Sequence, residues 1–323
     1  MLARLQQAIT WSLLVIALAW AGWFGSRGEW GWAAGGAALV LFGYAAFLAI
    51  EFILLAFVHG DDPAPPASAA QLVRAWWGEV LSAPMVFCWR QPFRSQAEPD
   101  HLPGDSSGRL GVVLVHGFVC NRGFWNPWMA RFRRAGTPFA AVNLEPVFGR
   151  IDDYVPLIDA AVGRVTQATG RAPLVVAHSM GGLAVRAWLS RCAAPEPVEH
   201  VVTIGSPHGG TWLARFGVTP NGLQMRRPNR WLEELQALEL RRRGAQAYER
   251  FTCFYSHCDN IVFPPSTATL RGADNRHVPG SAHVHRPLSP RCSTPSAGVS
   301  TRLRDRPASR PRQPVRGASP CGR

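Results

Sequence analysis

Lysine is missing from this 323-residue chain, so every basic side chain other than the ten histidines is an arginine. Acids are scarce too, at 21 against 34 arginines, which leaves a formal charge of +13. That charge does not describe a nucleic-acid surface. Nine of the arginines, against the single acid Asp305, fall between Arg286 and Arg323. The rest of the chain is mildly basic and carries no basic patch with interleaved aromatics, which argues against a nucleic-acid partner. Arginine in place of lysine reflects a GC-rich coding sequence. C-x-x-C spacing is absent as well: Cys88, Cys120, Cys192, Cys253, Cys258, Cys292 and Cys321 are scattered. They suggest neither a zinc site nor a disulfide framework, and their odd number favours a reducing compartment. No internal repeat is visible, which excludes a solenoid.

Charge is nearly absent from the first sixty residues. Ile9 to Phe24 is an apolar run, and Trp32 to Val58 is a longer one interrupted only by Glu51. A helix needs about 20 apolar residues to cross a bilayer, so the second run spans easily and the first is marginal. Trp11, Trp20, Trp23, Trp30 and Trp32 cluster where interfaces would fall. Gly25 to Glu29 is short enough to close a hairpin, so residues 1–60 are expected to form a membrane anchor of two transmembrane helices. A cleaved signal sequence fits less well, because no A-x-A site follows and a second run comes at once. Arg4, Arg27, Arg74, Arg90 and Arg94 lean towards cytoplasmic ends, and hence towards a multi-pass inner-membrane protein with a cytoplasmic domain.

Residues 61–109 read as a Pro- and Ala-rich linker followed by an amphipathic segment from Gln71 to Trp89. From 110 to 285 strand and helix patterns alternate, which predicts a mostly parallel α/β sheet. Strands are expected at Gly111–Val115, Phe139–Leu144, Pro173–Val176, His200–Ile204 and Phe251–Tyr255, with a last short one near His277-Val278. Helices are expected at Phe124–Arg134, Tyr154–Thr169 and Leu183–Leu189.

The chemistry centres on Ala177-His178-Ser179-Met180-Gly181-Gly182. A buried strand precedes it and a helix follows, the order of a nucleophile elbow. Small residues at 177, 181 and 182 let strand and helix approach closely, so Ser179 must project from the turn. The backbone N–H of Met180, directly after it, is one candidate oxyanion donor. Val113-Leu114-Val115-His116-Gly117-Phe118 runs from a strand into a turn, and the N–H of Phe118 is the other. Asp259 lies in a polar loop after a strand, where a carboxylate can orient a histidine ring. Asp152 and Asp153 are explained by a helix start, and Asp159 by a solvated helix face. His283 follows Val278-Pro279-Gly280 as the candidate base, with His285 as an alternative. His208, His257 and His277 read as loop or supporting residues. Ser179, Asp259 and His283 occur in the chain order of α/β-hydrolases.

From about Leu110 to His283 the chain resembles the α/β-hydrolase superfamily, most of all its bacterial triacylglycerol lipase and esterase branch. The resemblance rests on His116-Gly117, the elbow, Thr203-Ile204-Gly205-Ser206-Pro207-His208-Gly209-Gly210-Thr211 and the Asp-x-Ile-Val-x-Pro stretch at Asp259. It implies hydrolysis of an acyl ester or lipid through an acyl-enzyme at Ser179, with no cofactor and no metal. A thioesterase or acyltransferase would use the same triad, and an impaired hydrolase-like binding protein would retain its outline. Residues 212–248 fall where related lipases insert a cap; the leucines of Trp231 to Leu240 have helical spacing and suit packing or an acyl chain.

The end of the chain departs from the family. Residues 286–323 are rich in Arg, Pro and Ser and read as disordered. The abrupt change after His283 suggests a frameshifted reading of a GC-rich gene, and it leaves open how the base is held.

Overall fold

The computed structural model describes residues 1–192 and 197–285. The expected disordered tail at 286–323 lies outside the described residues.

The N-terminal region is helical: α1 (Leu2–Gly25), α2 (Trp30–Phe42), α3 (Tyr44–Val58), α4 (Ala69–Pro84) and the short α5 (Gln91–Phe93). The first apolar run is one continuous 24-residue helix, long and apolar enough to cross a membrane. The second run, expected as one helix, is not continuous. It breaks at Gly43 into α2 and α3, which meet at 51°. The bend has a packing reason, because it lays α3 against the following domain. Phe52 and Leu55 of α3 join Ala75 of α4 in an apolar cluster with Cys258, Phe263 and Ala282. Helix α4 begins at the Gln71 region as expected, with Ser68 and Gln71 forming a reciprocal capping box.

The domain that follows alternates β1 (Val112–Val115), α6 (Asn126–Arg134), β2 (Phe139–Val142), α7 (Val155–Thr169), β3 (Leu174–His178), α8 (Met180–Leu189) and β4 (His200–Ile204). It continues through α9 (Pro220–Gln224), α10 (Arg230–Arg243), β5 (Phe251–Tyr255) and β6 (Asp274–His277). The six strands form one sheet, all parallel, in the order β2-β1-β3-β4-β5-β6. This is the α/β-hydrolase architecture expected from the sequence. Strands covered on both faces must be apolar throughout, which is why β1 reads Val-Val-Leu-Val and is buried at each position.

The two-residue period sorts these side chains between two cores. Val113, Val115, Val175, Ala177 and Val201 meet α7 and α8 on one face. Val112, Leu114, Leu174, Val176 and Val202 meet Phe124, Trp125 and Trp128 on the other. Residues 212–248 hold a 3-10 turn at Trp212–Phe216 with α9 and α10. Leu232 and Leu235 of α10 pack into the first core, so this stripe is mainly packing. Glu239 of α10 forms a buried ion pair with Arg186 of α8, at 2.7 Å.

Candidate active site

In an open parallel sheet, ligands bind beyond the carboxyl ends of the strands, where the strand order reverses. Here that point lies between β1 and β3, because β2 lies on one side of β1 and every later strand on the other. The loop after β1 carries Gly117 and Phe118, and β3 runs directly into Ser179.

Ser179 adopts φ 55° and ψ −132° between β3 and α8. It and Val119 are the two non-glycine residues at positive φ among the described residues. A residue held there costs on the order of 1–3 kcal/mol and persists only where its surroundings enforce it. The enforcement is visible. Ser179 N–H donates to Ile204 O at 3.0 Å, keeping the bend tied to β4. A Cβ on Gly181 would stand 2.5 Å from His116 O, and one on Gly182 would meet Ser206 Oγ at 2.3 Å. Ala177 is fully buried, so a methyl group is accommodated at the first small position. Met180 opens α8, so its N–H belongs to the first helical turn, which has no i−4 carbonyl acceptor.

The β1 loop is pressed against this elbow: a Cβ on Gly117 would lie 2.6 Å from Ser179 Cβ. His116, expected only to end the strand, holds the loop. Its Nδ1 lies 2.9 Å from Gly117 O, and its Nε2 accepts from Leu144 N–H at 3.0 Å. A carbonyl only accepts, so Nδ1 carries the proton. Burial pushes the His116 pKa down to about 4, which keeps the ring neutral. Gly117 C=O and Phe118 N–H share one peptide plane and point in opposite directions. Fixing the carbonyl therefore fixes the direction of the Phe118 N–H. The Phe118 ring packs edge-on to Phe148, with centroids 6.0 Å apart.

Asp259 follows β5 and His283 follows β6, and the structure brings them together. His283 Nδ1 is 2.9 Å from Asp259 Oδ1 and 3.1 Å from Oδ2. Asp259 Oδ1 also accepts from Ile261 N–H at 3.1 Å and Val262 N–H at 2.9 Å. Both side chains are buried, as is Ser179. His178, beside the serine, reaches the same loop: its Nε2–H donates to His283 O at 3.2 Å, and the two rings lie 4.6 Å apart. Phe124 stacks on His178 at 4.5 Å.

The other candidates sit elsewhere. The His285 ring lies against Gly78 of α4, where a Cβ would be 2.9 Å from its Nδ1. His208 contacts Thr203 Oγ1 at 3.0 Å, and burial with Arg186 nearby holds its pKa well below the ordinary value. His257 and His277 pack ring to ring at 4.6 Å. Asp152 and Asp153 lie in the turn that starts α7, as expected. Asp159 is not simply a solvated-face residue, because it accepts from Trp188 Nε1–H at 2.9 Å. Among the described residues no cluster of three or more His, Cys, Asp or Glu is arranged to hold a metal ion. Three polar residues at the site were not read from the sequence as contributors: Asn260, Glu51 and Glu79.

Comparison with known proteins agrees with this architecture. Residues 112–313 match the family model described as "Alpha/beta hydrolase family". The chain belongs to the alpha/beta hydrolase family. Among solved structures it is similar to a Bacillus licheniformis lipase. In the propeptide form the identity is 17% and the TM-score 0.51, over 67% of this chain and 54% of that one. In the mature form they are 18% and 0.49, over 62% and 95%. Aspergillus fumigatus lipase B is 21% identical over 57% of this chain and 49% of that one, with a TM-score of 0.45. The chain thus spans about half the length of two of these structures and nearly all of the third. No curated protein matched the sequence.

Proposed function

We propose that this protein is a membrane-associated serine esterase or lipase that cleaves acyl esters through an acyl-enzyme. The observation that carries the reading is the buried Asp259–His283 pair, set beside an elbow that holds Ser179 in a conformation serine rarely adopts. In this reaction Ser179 Oγ attacks the ester carbonyl carbon while His283 Nε2 takes the hydroxyl proton. Asp259 holds the Nδ1–H tautomer and stabilises the imidazolium that forms. The N–H groups of Phe118 and Met180 receive the oxyanion, each being worth ~3 kcal/mol in the transition state. Collapse expels the alcohol, which leaves with the proton from His283. Water then repeats the sequence on the acyl-enzyme, releasing the carboxylic acid and restoring Ser179.

Membrane association is supported by apolar side chains that the fold leaves uncovered, among them Trp11, Leu18 and Trp23 of α1, Leu39 and Phe42 of α2, and Phe57 of α3. Only 6% of the most apolar window of α1 is buried, so it is not a core helix. Exposed apolar surface of this extent fits a bilayer, which is also where long-chain esters reside.

The test is hydrolysis of chromogenic esters of short and long acyl chains by detergent-solubilised protein, with fluorophosphonate labelling beside it. Hydrolysis and labelling are both expected, and both are expected to vanish in Ser179→Ala. A wild-type protein that neither hydrolyses these esters nor labels at Ser179 overturns the proposal.

A further inference from the structure

Two acids from the N-terminal helices are buried against the loop that carries His283. Glu79 of α4 is 2% exposed, and both its carboxylate oxygens accept backbone N–H groups. Val284 N–H donates to Oε1 at 3.0 Å and to Oε2 at 3.1 Å, and His285 N–H donates to Oε2 at 3.0 Å. Glu51 of α3 is also buried, and its Oε2 accepts from Asn260 Nδ2 at 2.6 Å. Asn260 Oδ1 in turn accepts from His283 N–H at 3.3 Å. Three consecutive backbone N–H groups, at 283, 284 and 285, therefore end on side chains governed by α3 and α4.

Burial makes this arrangement costly. Desolvation pushes the Glu79 carboxyl up, and the N–H groups of His285 and Val284 pull it back. An apolar residue would tie two helices to a domain with no such penalty. What an apolar residue lacks is direction, and three N–H groups gathered by fixed acceptors orient the peptide planes on either side of the base. The cluster around Phe52, Leu55, Ala75 and Ala282 brings the acids into reach.

We propose that Glu79, together with Glu51 acting through Asn260, positions His283, so that α3 and α4 complete the active site besides tethering it. This rests on the serine-hydrolase reading. A base displaced by about 1 Å loses on the order of 10²-fold in rate.

The test uses the full chain in detergent, with kcat normalised to the end-point of fluorophosphonate labelling so that unfolded protein is not counted. Glu79→Gln turns an amide NH2 towards donors, and is expected to lower kcat by about 10²-fold while KM stays within about twofold. Glu79→Asp, which keeps the carboxylate, is expected to recover part of the loss. Amide exchange of the 283–285 segment is expected to accelerate in Glu79→Gln and not in Ser179→Ala, a readout independent of turnover. Unchanged kcat per labelled site, or unchanged exchange at 283–285, overturns the clamp. If Glu79→Gln does not fold, Glu51→Leu decides by the same two measurements. A wild-type protein inert to ester and probe removes the hydrolase reading instead, while the exchange result still reports on the clamp.

Discussion

His116 provides the sharpest quantitative consequence of the site. It is 1% exposed, donates from Nδ1 to Gly117 O and accepts at Nε2 from Leu144 N–H, so the folded protein holds it neutral. Burial lowers its pKa from the ordinary 6.5 to about 4. As pH falls through 6.5 the unfolded chain binds a proton here, whereas the folded chain does not until about pH 4. The contribution of this ring to stability is therefore complete above pH 6.5 and is lost progressively as pH falls towards 4. Each pH unit crossed between the two values is worth about 1.4 kcal/mol, so the step from pH 7 to pH 5 removes about 2 kcal/mol. For a domain of this size that is roughly 4–8 °C in Tm. Glutamine at 116 can donate and accept in the same two directions but does not titrate. Tm would be followed by tryptophan fluorescence in wild type and His116→Gln at both pH values. The fall in Tm from pH 7 to pH 5 is expected to be smaller in the variant by that amount. Other buried groups, such as His208, are common to both proteins and cancel. Parallel pH curves for the two would refute the assignment of His116 as a neutral, doubly bonded ring.

Two further outcomes follow from contacts already described. Gly117→Ala places a methyl group 2.6 Å from Ser179 Cβ and 3.2 Å from His178 O, and must push the loop off the elbow. We expect kcat to fall on the order of 10²–10³-fold, the scale of one lost oxyanion donor, with KM little changed; an unaltered kcat places the Phe118 N–H outside the oxyanion site. Arg186→Met leaves Glu239 buried without its guanidinium, which donates from Nε at 3.0 Å and Nη2 at 2.7 Å. That substitution should cost about 3–5 kcal/mol in thermal or urea unfolding, and pairing it with Glu239→Leu should restore most of the loss. A single variant as stable as wild type would contradict the buried pairing.

Most of the sheet was legible because its inner strands are buried on both faces and read as apolar runs, while the polar edge strand β6, Asp274–His277, was expected only near His277-Val278. His200–Ile204 and Phe251–Tyr255 were located to the residue. Helix starts were less visible. The segment expected to be helical from Phe124 begins with a 3-10 turn at Arg122–Trp125, because the Asn121 side chain accepts from Gly123 N–H and tightens the chain there. Ser179 and Asp259 were visible as candidates because they stand in loops after the apolar strands β3 and β5, whereas His283 follows the polar strand β6 and a further loop. The role of His116 could not, since it depends on Leu144, a neighbour only across β1 and β2.

The clamp residues were hidden for a different reason. Glu79 and Val284 are 205 positions apart, and Glu51 and Asn260 are 209 apart, so no local pattern contains either pairing. One signal was nevertheless present in the sequence. Glu51 is the only charge in the run from Trp32 to Val58. An acid at the centre of a lipid-surrounded helix costs roughly 2.5–3.5 kcal/mol. Such a residue is far better accommodated where part of the helix faces protein and a donor awaits it. Read as an energetic demand, Glu51 asks for a polar partner outside the run, and a run that must meet that partner cannot be lipid-covered on every side. The bend at Gly43 and the docking of α3 beside Asn260 are the structural answer to that demand.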